Sequence, residues 1–131
     1  MTRDDVQRWL DAYVEAWRTY DPAAIGALFA ADAIYRYRPY GDDTFVRGRD
    51  AIVTDWRDQQ DAPGSWTAFY EAYAVDGDRA VAVGETRYLN ADGSVRTVFH
   101  NVWPLRFDGE GKCVEFTEFY MEVPTAVLVN G

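Results

Sequence analysis

Residues 79–122 read RAVAVGETRYLNADGSVRTVFHNVWPLRFDGEGKCVEFTEFYME, and this stretch decides the fold. It contains three runs rich in β-branched and aromatic residues, 79–89, 95–107 and 112–122. The turns between them are Asn90-Ala91-Asp92-Gly93 and Asp108-Gly109-Glu110-Gly111, with Gly where a type I turn plus bulge needs a positive φ. A fourth run, 66–75, joins through Asp76-Gly77-Asp78. Four strands linked by tight turns make an antiparallel meander.

Toward the N-terminus the apolar period lengthens from that of a strand to that of a helix. Gly48 to about Asp61, with Ala51, Ile52 and Trp56 on one stripe, reads as a helix ended by Pro63-Gly64. Thr44-Phe45-Val46 is a short strand and Pro39 to Asp43 a loop. Ala33 to Arg38 alternates Tyr35 and Tyr37 with Arg36 and Arg38, a strand with one inner face. Asp21-Pro22 starts a short helix carrying Ile25, Leu28 and Phe29. Thr2-Arg3-Asp4-Asp5 forms a capping box ahead of Val6, Trp9, Leu10, Tyr13, Trp17 and Tyr20, which share one helical face. Three helices followed by a long sheet is an α+β order. The tail 123–131 carries no readable signal.

At 131 residues and 48% hydrophobic content the chain suits one domain, 1–131, with a real core. Five Trp, nine Tyr and seven Phe exceed what a close-packed core of this size uses, so some are expected to line a cavity. Thirteen basic residues against 22 acidic ones give a net charge of −9, the wrong field for nucleic acid or an anionic membrane surface. A single Cys113 allows no internal disulfide, residues 1–20 are too charged for a signal peptide, and no apolar run reaches membrane length. Together these predict a cytoplasmic protein.

Phe29-Ala30-Ala31-Asp32-Ala33 with Arg47-Gly48-Arg49-Asp50-Ala51-Ile52, and Arg106 to Lys112 running into Glu115-Phe116-Thr117-Glu118-Phe119-Tyr120, together carry a family likeness. In that order and spacing they resemble the SnoaL-like members of the nuclear transport factor 2-like superfamily. The resemblance implies a cystatin-like cone: three N-terminal helices packed in the concavity of a strongly curved, mainly antiparallel six-stranded sheet. It also implies a deep pocket at the open end and frequent dimerisation. The superfamily hosts isomerases, polyketide cyclases, dehydratases, epoxide hydrolases and binding proteins without catalysis, so fold alone does not choose the function.

Strand alternation sorts the candidate pocket residues. With a bulged Asn90–Gly93 turn, Val81, Val83, Glu85 and Arg87 share a face with Thr97, Phe99, Asn101 and Trp103, and the two valines mark that face as inward. Matching the last strand to the family pattern puts Val114, Phe116, Glu118 and Tyr120 inward. Tyr13 and Trp17 from the first helix, Tyr35 and Tyr37, and Trp56 complete the expected binding wall.

Glu118 is the leading catalytic candidate, because an apolar pocket disfavours its charged form and raises its pKa toward acid/base values. It also matches the position at which resembling epoxide hydrolases and cyclases place a carboxylate. The alternative is a salt-bridged Glu that only sets the register. Glu85 and Arg87, two apart on one strand, read either as a clamp that orients substrate or water, or as a structural ion pair. In the resembling epoxide hydrolases an Arg precedes an Asp on this strand; here the acid comes first. Asn101 and Tyr13 are the expected donors to a substrate oxygen, and Tyr13 matches a helix-one tyrosine that does so in the resembling ketosteroid isomerases. Tyr37 and Trp103 stand where those isomerases carry their two acids, which argues against the steroid-isomerase mechanism. His100, the sole histidine, points away from the pocket in this register unless a bulge near Pro104 reverses it. Cys113 reads as structural.

Three readings follow. In the first the chain is a cofactor-free, metal-free acid/base enzyme (cyclase, isomerase, dehydratase or hydrolase) acting on a small apolar molecule. In the second the same pocket only binds, which a locked Glu118–Arg87 pair would favour. In the third Trp17, Trp56 and Trp103 fill the cone and leave a scaffold. A homodimer is expected through the outer sheet face at Tyr88, Val98, Val102 and Phe119.

Overall fold

The computed structural model describes residues 1–130. Helix α1 (Arg3–Thr19) starts at Thr2, whose Oγ1 accepts the Asp5 amide at 3.1 Å while the Asp5 carboxylate accepts the Thr2 amide at 2.8 Å. It ends at Tyr20, in the left-handed region at φ 53°. Asp21 caps the five-residue α2 (Pro22–Gly26). The chain then enters β1 (Phe29–Arg36), so Leu28 and Phe29 are buried but lie outside the helix assigned to them. A 3-10 turn (Asp42–Thr44), β2 (Phe45–Arg47) and α3 (Arg49–Asp58) precede the meander.

The meander is β3 (Trp66–Asp76), β4 (Arg79–Leu89), β5 (Val95–Phe107), β6 (Cys113–Thr117) and β7 (Phe119–Glu122), followed by the terminal α4 (Thr125–Asn130). Gly93 and Gly111 sit at φ 87° and 79°, which supplies the bulged turns. Strand order is β2-β1-β6-β5-β4-β3, with β7 also on β5; β1 and β6 run parallel, and the other pairings among the described residues are antiparallel. The fold is the expected α+β architecture, with two additions to its count: a terminal helix, and a seventh strand where 112–122 divides. The division has a local cause. Between the pairs Leu105–Phe116 and Val102–Phe119 the ladder must pass Pro104, which has no amide hydrogen to donate. The register is the same on both sides, so the inner-face alternation survives the break.

Helix α1 lies in the concavity. Its apolar face, Val6, Trp9, Leu10, Tyr13 and Ala16, is buried against Phe29, Trp103, Phe107 and Phe116. The Trp9 indole donates to the Leu28 carbonyl at 2.9 Å. Gln7 ties α1 to the edge strand β3, accepting the Ala72 amide at 2.9 Å and donating to the Tyr70 carbonyl at 3.0 Å. An edge that would otherwise offer unpaired backbone groups is thereby covered.

Which residues of β4 face inward differs from the expectation, and for a definable reason. Leu89 pairs with Val95 but Tyr88 pairs with Thr97, so Arg96 is an extra residue on β5. From there Ala82 lies opposite Trp103, Gly84 opposite Asn101 and Thr86 opposite Phe99. The inner residues of β4 are therefore Ala80, Ala82, Gly84, Thr86 and Tyr88; Val81, Val83, Glu85 and Arg87 lie outside. Small inward side chains on β4, the strand next to the edge, are what keep the cone open. Gly84 is the extreme case: a Cβ there would stand 2.0 Å from the Phe69 carbonyl oxygen and 2.5 Å from Tyr70 Cδ1. A second bulge, at Val114, puts Cys113 rather than Val114 into the core, fully buried.

Candidate functional site

A cavity of about 500 Å³ opens between α1, α3 and the inner sheet face. Its floor is aromatic. Tyr13 and Tyr35, each about 95% buried or more, meet hydroxyl to hydroxyl at 2.5 Å. Phe116 stacks on Tyr35 with centroids 4.2 Å apart at 6°. Phe116 thus supports the floor from below and does not itself reach the cavity, contrary to its expected role. Trp103 stacks on Tyr70 at 3.8 Å, with its ring 4.7 Å from that of Tyr13. Its indole N–H is buried and meets no acceptor among the described residues.

Glu118 enters this space because the unchanged register places it opposite Trp103, on the inner face. Its amide stays bonded to the Arg36 carbonyl at 2.9 Å, which fixes the backbone between the two strands. Among the described residues its carboxylate accepts a side-chain hydrogen bond from Asn101 Nδ2, at 2.9 Å, and has no cationic partner. Asn101 is oriented in turn by Tyr70, whose hydroxyl donates to its Oδ1 at 3.1 Å and also contacts Thr86. Burial pushes the Glu118 carboxyl from 4.5 up to about 7, and the Asn101 bond opposes this only in part. The surrounding phenols stay neutral: burial, followed for Tyr13 by the nearby Glu118 charge, raises Tyr13 and Tyr35 well above 10.

The mouth is organised by Asp61. Its carboxylate accepts from the Trp17 indole at 3.0 Å, and its amide donates to the Tyr20 hydroxyl at 2.9 Å. Trp17 also stacks on Trp66 at 3.7 Å. Tyr37 donates to Asp55 on α3. Tyr88, pushed up to about 12 by burial, and the half-exposed Tyr120 complete the rim.

The expected site residues therefore divide. Glu118, Asn101, Tyr13, Trp17, Tyr35, Tyr37, Trp56, Phe99, Trp103 and Tyr120 all border the cavity. Glu85 and Arg87 do not. They pair with each other on the outer face at 2.7 Å, with His100 Nε2 3.8 Å from the same Glu85 carboxylate. The Arg96 bulge, which moves every β4 side chain to the opposite face, is the reason. Neither can clamp a ligand in the cone, and Arg87 cannot lock Glu118. Several lining residues went unread in the sequence: Tyr20, Gln59, Asp61, Tyr70, Thr86, Tyr88 and Glu122. For Thr86 and Tyr88 the signal was the Ala-Ala-Gly-Thr run at alternate β4 positions, since small residues belong where a cavity is kept open. Asp61 and Gln59 were read into the third helix, which ends earlier, at Asp58, and leaves them beyond its apolar stripe.

The comparisons agree with this architecture. No curated protein matches the sequence. Among solved structures, a protein with a cystatin-like fold from Methylobium petroleophilum PM1 superposes with a TM-score of 0.68 at 18% identity, covering 95% of this chain and 80% of that one. An NTF2-like protein from Cytophaga hutchinsonii ATCC 33406 gives 0.64 at 13% identity, over 88% and 98%. An LEH-like epoxide hydrolase from M. tuberculosis gives 0.66 at 16% identity, over 91% and 84%. At these identities the likeness is one of fold. The SnoaL-like domain model matches residues 10–116, from the first helix through Phe116, and the chain therefore belongs to the SnoaL-like domain family.

Proposed function

We propose that the protein is an acid/base enzyme acting without a cofactor on a small, largely apolar molecule, with Glu118 as the proton-transfer group. The single observation that carries this reading is the environment of Glu118: a carboxyl bordering an open cavity, raised to about 7 by burial, with no cation among the described residues to hold its proton off. A group titrating near neutrality can both take and return a proton. Asn101 positions it and is itself positioned by Tyr70. The Tyr13–Tyr35 hydroxyl pair, in which one O–H is spent on the other oxygen and one is left over, supplies a donor for a ligand oxygen that gains charge. Isomerisation, cyclisation, dehydration and water addition all draw on this set. A scaffold with a filled cone has no support from a cavity of this size. Binding without catalysis remains the rival, and a measurement of proton transfer separates the two.

5-Nitrobenzisoxazole tests it without knowledge of the natural substrate, because removal of one proton by a carboxylate opens its ring to a coloured phenolate. The wild type should accelerate the opening, with a rate that rises as the pH passes about 7 and saturates above. Glu118→Gln should lose the acceleration. Equal rates for the two proteins would dispose of Glu118 as the base.

We also propose that the chain self-associates through the outer sheet face. Val102, Phe119 and Met121 are 41%, 46% and 75% exposed there. Tyr88 and Val98 drop out of the expected interface, since Tyr88 borders the cavity and Val98 is buried. A monomer in sedimentation at micromolar concentration would refute this.

A further inference from the structure

The charges around the cavity are all of one sign. Asp61, Glu118 and Glu122 border it, and no Lys, Arg or His does so among the described residues. Cations of the adjoining strands are engaged elsewhere: Arg87 and His100 stand on the outer face with Glu85, and Arg36 turns to Thr117 and Glu115. The rest of the wall is aromatic, eleven of the seventeen bordering residues being Tyr, Trp or Phe. Among the described residues no Leu, Ile, Val or Met borders it, so its apolar surface is aromatic. Ring faces carry the negative end of the aromatic quadrupole and attract cations. Glu118 itself is the strongest indication. A buried carboxylate calls for a charged partner, and the protein provides only the Asn101 amide. A net charge of −9 adds a field that draws cations toward the molecule and repels anions.

We propose that the cavity selects an organic cation, a molecule whose substituted ammonium group sits among the aromatic rings and faces Glu118. This rests on the reading of the cavity as a ligand site and narrows its ligand class from apolar molecules in general to those carrying positive charge. The ammonium completes the ion pair that the protein leaves half-made, and the apolar remainder covers the phenol floor. Carboxylate and phosphate ligands are excluded by the same three acids.

Three probes of one shape test the charge preference: benzyltrimethylammonium, 2-methyl-1-phenylpropan-2-ol and phenylmethanesulfonate, titrated calorimetrically into the wild type at about pH 8.5, above the range in which Glu118 titrates. The cation should bind about tenfold tighter than the alcohol, and the sulfonate should not bind. In Glu118→Gln the ratio of cation to alcohol affinity should fall at least threefold, by roughly the loss of one close charge. An alcohol or sulfonate that binds as tightly as the ammonium would overturn the charge preference and leave the cavity reading intact. A cation preference unchanged in Glu118→Gln would overturn the pairing with Glu118. If none of the three binds, the reading of the cavity as a ligand site fails, and the proposal with it.

Discussion

Glu118→Gln should stabilise the protein at neutral and alkaline pH, although it removes the group proposed to carry the chemistry. The reasoning follows from linkage. The carboxyl titrates at 4.5 in an ordinary environment and at about 7 in the fold, where burial disfavours its charge. Between those values the folded state holds a proton that the unfolded state has released. Stability therefore falls as pH rises from about 4.5 through about 7, and levels off above. At ~1.36 kcal/mol per tenfold, the penalty is about 1 kcal/mol at about pH 5 and about 3 kcal/mol at about pH 8.5. The substituted amide would keep an oxygen to accept from Asn101 and would carry no charge. Any fixed difference between Gln and a protonated Glu is the same at every pH, so the slope isolates the ionisation. Urea denaturation of both proteins across this range, compared as a difference, cancels the other titrating groups. The difference should grow by about 2 kcal/mol in favour of Glu118→Gln from the acid to the alkaline end. A flat difference, or one that grows in favour of the wild type, would refute the account of Glu118 as an unpaired buried acid.

Other perturbations probe different links. Gly84→Ala should destabilise by about 3 kcal/mol or more, because its Cβ would meet the Phe69 carbonyl and the Tyr70 backbone, neither of which can rotate aside; thermal unfolding reads this directly. Asn101→Leu should leave Glu118 without its hydrogen bond and move the inflection of the rate profile above pH 7, since that bond is the one influence lowering the carboxyl.

Much of the architecture was legible because each element obeys a local rule. The capping box at Thr2, the Pro at the first position of α2 and the glycines of the two bulged turns all announce themselves in sequence. The inner side of β5 and of 116–120 was legible too, since Asn101, Trp103, Phe116 and Glu118 sit on uninterrupted alternation. The face of β4 was not. Its reading turned on one extra residue, Arg96, whose bulge leaves no compositional trace, and on an assumption that valines mark the interior. In a cone with a cavity the inner face of β4 is instead small, as Ala82, Gly84 and Thr86 show. The pairing of Asp61 with Tyr20 at the mouth was illegible for another reason: it spans 41 residues and joins the C-terminal ends of two helices, which the periodicity of neither helix reports.

The protonation of Glu118 can be observed at its own carboxyl carbon, in protein labelled with 13C at glutamate and assigned through the Glu118→Gln variant. The account predicts a Glu118 resonance that titrates at about pH 7 and moves to lower pH when benzyltrimethylammonium is bound. A carboxyl that titrates at or below 4.5 in the free protein would contradict it, because an ordinary, solvated or ion-paired acid at this position could carry neither the chemistry nor the charge selectivity derived from it.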